Sequence, residues 1–148
     1  MNQPTRLGRL SIALAAILAL APIAAAQEFT EGHTSDGAGY SIPTRWVMGE
    51  PLVMKGTNWT DIPGTGGSTI AVAYDFGTVL SPLPLNGDDE VWAVIEAGAD
   101  GSWSFGLPFP GSANWSAGET HKVHLLSGSL GTNDRARGVA VDVSIVAD

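Results

Sequence analysis

Apolar and polar residues alternate along this chain in short segments, which glycine, proline, asparagine and aspartate interrupt at close intervals from Ser41 onward. Successive side chains of a strand point to opposite faces, so alternation of this kind predicts a strand with one buried face. The clearest alternation lies near the C-terminus and places apolar side chains at Val139, Val141, Val143 and Ile145. Because the segments are too short for helices of ordinary length, the chain is predicted to be all-β.

The segments predict about seven strands separated by turn residues. These strands lie at residues 45–48, 51–59, 69–75, 91–97, 102–107, 120–127 and 139–145. Many short strands without helical periodicity favour two packed sheets over a barrel of lipocalin size. The predicted fold class is therefore an immunoglobulin-like Greek-key β-sandwich.

A hairpin is predicted where two of these strands follow each other closely. The run 91–97 is nearly all apolar, which is typical of a central strand buried on both faces. Asp100-Gly101 follows it, and glycine tolerates the positive φ that a tight hairpin requires. The next strand alternates and is expected to bury Trp103, Phe105 and Leu107.

The N-terminus has the composition of an export signal. Arg6 and Arg9 precede an apolar stretch that ends in small alanines, and Pro22 interrupts a run shorter than the roughly 20 residues of a spanning helix. We therefore expect a signal peptide at residues 1–26 and no membrane insertion after its cleavage. Residues 27–43 are polar without a sustained period and predict a flexible leader, which leaves 44–148 as the immunoglobulin-like domain.

Charge and cysteine content narrow the function classes. Loss of residues 1–26 would lower Lys+Arg from 7 to 5 against 15 Asp+Glu, so the net charge would move from -8 to -10. The few basic residues are scattered, which disfavours nucleic acid and anionic membranes as partners. The chain contains no cysteine, so disulfides, thiolate metal sites and cysteine nucleophiles are excluded.

Two groups of residues suggest a metal site. His121 and His124 lie on opposite faces of one predicted strand, so they do not chelate one ion. Asp88-Asp89-Glu90 is a better candidate for a hard cation such as calcium, but adjacent acids are more often a solvated loop. We therefore predict no metal and no cofactor.

Catalytic motifs are absent from the sequence. It has no G-x-S-x-G elbow, and nothing identifies a pair of carboxylates for glycoside cleavage. Trp59 and Trp115 each follow an asparagine near a strand end, so they are candidate partner-binding residues that would stack on sugars or anchor an interface if they are exposed. The alternative is that they fill the two ends of the sandwich.

A common pattern of strand and turn residues runs through KGTNW at 55–59, GSTIAV at 67–72, VWAVIEA at 91–97, ADGSW at 99–103 and HKVHLLSGSL at 121–130. In this pattern the chain resembles the bacterial immunoglobulin-like modules of exported actinobacterial, especially corynebacterial, surface proteins. The resemblance implies a secreted or cell-envelope setting and a non-enzymatic role, and it implies no catalytic or ligand residues.

The expected function is a binding or structural role toward an unknown protein or glycan of the cell envelope. Contact with the partner is expected at the loops 58–67, 81–90 or 113–118 or at an edge strand. A carbohydrate-binding module that uses Trp59 or Trp115 and a small secreted hydrolase are the alternatives.

Overall fold

A computed structural model describes residues 26–148. The predicted signal peptide therefore lies outside the described residues, apart from its last residue. The described part contains nine strands: β1 (Phe29–His33), β2 (Gly39–Pro43), β3 (Arg45–Val47), β4 (Leu52–Thr57), β5 (Thr69–Tyr74), β6 (Ala93–Glu96), β7 (Trp103–Leu107), β8 (Thr120–Ser127) and β9 (Arg137–Val146). Helical structure in this part is limited to single 3-10 turns at Asp75–Gly77 and Gly111–Ala113. The prediction of an all-β fold is confirmed for the described residues.

The strands form two sheets. Four strands pair in the order β1-β2-β4-β7, and five pair in the order β3-β9-β8-β5-β6. Every pairing is antiparallel except that of β3 with β9, which is parallel. One core cluster contains buried side chains from both sheets, as expected for a β-sandwich.

Alternation along the strands produces this core. On β9 the predicted apolar face is buried, and the intervening Ala140, Asp142 and Ser144 are exposed. On β7, Trp103 and Leu107 are buried as predicted, whereas Phe105 is partly exposed. Burial of one large apolar side chain contributes about 1.5–3 kcal/mol to folding, so these faces supply much of the driving force.

Aromatic side chains fill both ends of the core. At one end Trp46 lies 5.9 Å from Tyr74, 5.4 Å from Phe109 and 6.0 Å from Trp115, as measured between ring centroids. Edge contacts of this kind add about 0.5–1.5 kcal/mol per pair beyond burial. Trp59 and Trp103 form a similar edge contact at 6.1 Å near the other end of β5.

A buried cation joins separate parts of the chain. The Arg137 guanidinium donates to both carboxylate oxygens of Asp36, to Ser68 Oγ at 2.7 Å and to the Thr60 carbonyl at 2.9 Å. It also lies 5.5 Å from the centroid of the Trp59 ring. Partial burial opposes ionisation of Asp36, but the Thr34 hydrogen bond and the Arg137 charge outweigh it, so the pKa of Asp36 lies below its usual range.

Residues 27–43 are not a leader. They contain β1 and β2, and β2 pairs with β4 inside the four-stranded sheet. Ala38 and Ile42 are fully buried in the core. The prediction of a leader outside the domain is therefore wrong, and so is the domain start at residue 44. The apolar pattern of these residues is too sparse to predict the strands. Backbone pairing stabilises them instead, because β1 pairs with β2 and β2 pairs with β4.

The segment 91–107 also differs from its prediction. β6 is an edge strand of the five-stranded sheet, not a central one, and β7 belongs to the other sheet. The turn at Asp100-Gly101 is tight, with a Gly98 to Ser102 hydrogen bond of 2.9 Å, but it crosses between sheets and closes no hairpin. Turn residues specify a reversal of the chain and leave open which sheet receives the next strand.

The Gly101 turn gives a test of this crossing. Gly101 has φ of 75°, and a Cβ there would lie 2.4 Å from the Trp59 backbone nitrogen. Gly64 has φ of 74° but has nothing within 4 Å of its added Cβ. We expect Gly64→Ala to lose about 1 kcal/mol of unfolding free energy from backbone strain alone. Gly101→Ala should lose about 2 kcal/mol more from overpacking, as measured by urea denaturation. Equal losses would contradict the close approach of this turn to Trp59.

Candidate functional site

Both candidate tryptophans are buried. Trp59 is 0% exposed and donates from Nε1 to the Gly39 carbonyl at 2.9 Å. Trp115 is 7% exposed and stacks on the His121 ring with centroids 4.0 Å apart. The prediction of Trp59 and Trp115 as partner-binding residues is therefore wrong, because neither ring is open to a ligand. They fill the ends of the core, as the alternative expected.

The two histidines lie on opposite faces of β8, as predicted. His121 lies at the aromatic end of the core, with Nδ1 2.7 Å from Asp75 Oδ2 and Nε2 3.1 Å from Glu119 Oε2. His124 lies on the outer face, where its Nε2 accepts a hydrogen bond of 3.1 Å from the Phe76 backbone N–H. This bond requires a neutral His124 ring with its proton on Nδ1.

The acidic residues 88–90 do not converge on a cation. All three side chains are exposed, and Asp88 Oδ1 accepts a 3.0 Å hydrogen bond from the Glu90 backbone N–H. Among residues 26–148, no group of three or more histidine, cysteine, aspartate or glutamate side chains is arranged to hold a metal ion. Asp88 and Glu90 instead line a groove.

This groove lies on the outer face of the five-stranded sheet and has a volume of about 320 Å³. Its floor is formed by Ala71 and Ala73, which point outward from β5 because Ile70, Val72 and Tyr74 fill the core. Cross-strand pairing sets Leu126 beside Ala71 and His124 beside Ala73. Small alanines thus lie between larger side chains, which leaves a depression in the face. The remaining lining residues are Phe76, Gly77, Asp88, Glu90, Val91, Ser129 and Leu130.

The turn that forms one wall has an unusual backbone. Asp75, Phe76 and Gly77 follow each other with φ of 46°, 60° and 78°. A residue other than glycine in this left-handed region costs about 1–2 kcal/mol. The Asp75 carboxylate holds the turn, because Oδ1 accepts the Lys122 backbone N–H at 2.7 Å while Oδ2 contacts His121.

The held turn projects the Phe76 ring into solvent. The side chain is 74% exposed, and its ring centroid lies 4.5 Å from that of His124. Further along the same connection, Leu80, Leu83 and Leu85 are also exposed, with Leu83 at 81%. Of these residues Phe76 lines the groove, and an exposed apolar residue at a groove marks an interaction surface more often than an isolated one does.

Negative charge dominates the groove. Burial lowers the pKa of His124, the Lys122 charge lowers it further, and the Asp75 carboxylate only partly opposes them. His124 is thus neutral near pH 7. The lining residues include the carboxylates Asp88 and Glu90 and no lysine or arginine.

The sequence pattern predicts only part of this site. The predicted functional loop 81–90 contains the two carboxylates, but Phe76, Ala73 and Leu126 were not expected to take part. One signal was present: His124 and Leu126 share the outward register of β8, which places an apolar residue where alternation predicts a polar one.

Comparison with known proteins adds no relative. Neither the protein-family models, nor the curated proteins, nor the solved structures contain a match to this chain. In the part of the chain that the structure describes, no helix is long and apolar enough to cross a membrane.

The His124 bond predicts a pH dependence. The pKa of His124 lies below its usual value in the folded state, so the unfolded chain takes up a proton first as the pH falls. Stability is therefore complete above the ordinary histidine pKa and declines as the pH falls from there toward the folded pKa. We expect the unfolding free energy of His124→Gln to decline less between pH 7 and pH 5 than that of the wild type, in urea titrations. Parallel declines in the two proteins would show that His124 does not contribute.

Proposed function

We propose that this chain is a secreted or cell-envelope-associated immunoglobulin-like module whose role is to bind a macromolecular partner through the groove, without catalysis. Secretion is supported by the export pattern at residues 1–26. The acidic, cysteine-free composition is compatible with an exported domain.

Strand order supports an immunoglobulin-like Greek-key topology. In the usual lettering β2, β4 and β7 take the positions of strands A, B and E, and β9, β8 and β5 take those of G, F and C. The N-terminal strand is divided between the sheets, because β2 pairs with β4 while β3 pairs with β9. β6 then adds a strand beside C.

The exposed Phe76 ring is the observation that carries the binding role. Its backbone has a costly conformation, and its side chain contributes little burial to the fold. Strained residues that persist beside a groove are typical of ligand contacts. An aromatic ring at such a place is also a common anchor of protein interfaces.

No observation favours the two alternatives. The carbohydrate-binding hypothesis depended on Trp59 and Trp115, which are buried. For a hydrolase, the hydrogen bonds of His121 go to carboxylates and that of His124 to a backbone N–H, so within residues 26–148 neither histidine is paired with a serine hydroxyl.

Partner capture tests the binding role. The tagged chain is incubated with intact cells that produce it, cross-linked and recovered. Phe76→Ser should reduce recovery of a specific partner by about tenfold or more, because the loss of an aromatic anchor costs at least about 2 kcal/mol. Val53→Asp is the matched control, because Val53 is an apolar residue on the four-stranded sheet that is 48% exposed. Equal recovery with Phe76→Ser and wild type would exclude the groove as the binding site.

A further inference from the structure

We propose that the groove receives a lysine or arginine side chain, flanked by apolar residues, from a protein partner. This inference rests on the proposed function and identifies the chemistry of the partner. Asp88 and Glu90 lie on one wall, and neither forms an ion pair with any residue of 26–148. Both carboxylates thus keep acceptor capacity for a cationic group.

The rest of the lining suits the apolar part of such a side chain. Leu126 is 40% exposed, and together with the nearly buried Ala71 and Ala73 at the floor it offers an apolar contact for the methylene stem of lysine or arginine. The exposed Phe76 ring also lines the groove, and a cationic head placed over it would gain about 0.5–1 kcal/mol, as at other open sites. A volume of about 320 Å³ is at the small end of ligand pockets and accommodates one long side chain with its neighbours.

The negative charge of the groove favours a basic side chain over a second copy of the chain, nucleic acid or anionic lipid. His124 does not neutralise the carboxylates, because its Nε2 accepts the Phe76 N–H and its ring is uncharged. The chain carries a net charge of -8, so a second copy would bring like charge to the groove. Nucleic acid and anionic lipid would be repelled for the same reason. A basic protein segment is the complementary partner.

Peptide titration followed by backbone amide NMR tests the proposal on the purified chain. Three probes differ only in the central residue: acetyl-leucyl-arginyl-leucinamide, its citrulline analogue, which is neutral and nearly isosteric, and its glutamate analogue. The arginine peptide should shift amide signals at Ala71, Ala73, Gly77 and Leu126. The citrulline peptide should bind about fivefold more weakly, as expected for exposed charge pairs, and the glutamate peptide more weakly still.

Two double variants locate the charge effect. Asp88→Asn with Glu90→Gln should weaken arginine-peptide binding about fivefold and abolish the preference over citrulline. Glu28→Gln with Glu31→Gln changes the net charge equally at and beside β1, in the other sheet, and should leave binding unchanged. Equal weakening by both pairs would show a general charge effect and overturn the site.

Other outcomes overturn the proposal in distinguishable ways. Equal binding of the arginine and citrulline peptides excludes charge recognition, and shifts confined to other faces exclude the groove as the site of the basic peptide. Groove shifts that depend on protein concentration without peptide identify a second copy as the occupant. If partner capture still depends on Phe76 in any of these cases, the groove remains a binding site and only the basic occupant is wrong. If capture does not depend on Phe76, the proposed function itself fails.

Discussion

The buried guanidinium of Arg137 is the interaction on which the arrangement of both sheets depends. Its side chain is only 2% exposed, and a charge so buried is tolerated only when it is paired and hydrogen-bonded. Its partners come from the β1–β2 turn, through Asp36, and from the connection between β4 and β5, through Thr60 and Ser68. Because β9 lies in the five-stranded sheet and β1 and β2 lie in the four-stranded one, a single residue ties the sheets together at the end occupied by Trp59.

One wall of the groove depends on the opposite end of the same framework. There β5 leaves the core at Tyr74, and the next residues enter the left-handed turn that displays Phe76. This turn is anchored to β8, through Asp75 to His121 and Lys122 and through the Phe76 N–H to His124. Because β8 pairs with both β5 and β9, the turn that carries the exposed ring is bonded to the central strand of its sheet. These hydrogen bonds position the ring before binding, which lowers the conformational entropy lost when a partner binds.

The local sequence pattern predicts the positions of the strands better than it predicts which strands pair with each other. Strands β5, β8 and β9 lie close to their predicted positions because each has a strong alternation or apolar run. The apolar run 91–97 predicts a central strand, but part of its apolar character serves contacts outside the strand: Trp92 packs against Tyr74, with ring centroids 5.2 Å apart. A central strand and an edge strand that is covered by its own flanking residues can have the same apolar sequence. The pattern alone therefore does not distinguish the two.

By itself, the sequence determined the all-β class, the buried face of β9 and the opposite orientations of His121 and His124, because these follow from the two-residue period of a strand. Tertiary structure decided what the period does not encode. It brought residues 27–43 into the sheet, buried Trp59 and Trp115, and joined Ala71 and Ala73 to Phe76, Leu126 and the carboxylates of a distant loop. Each of these outcomes depends on which strands pair and on what covers each face, and contacts between residues far apart in the chain set both.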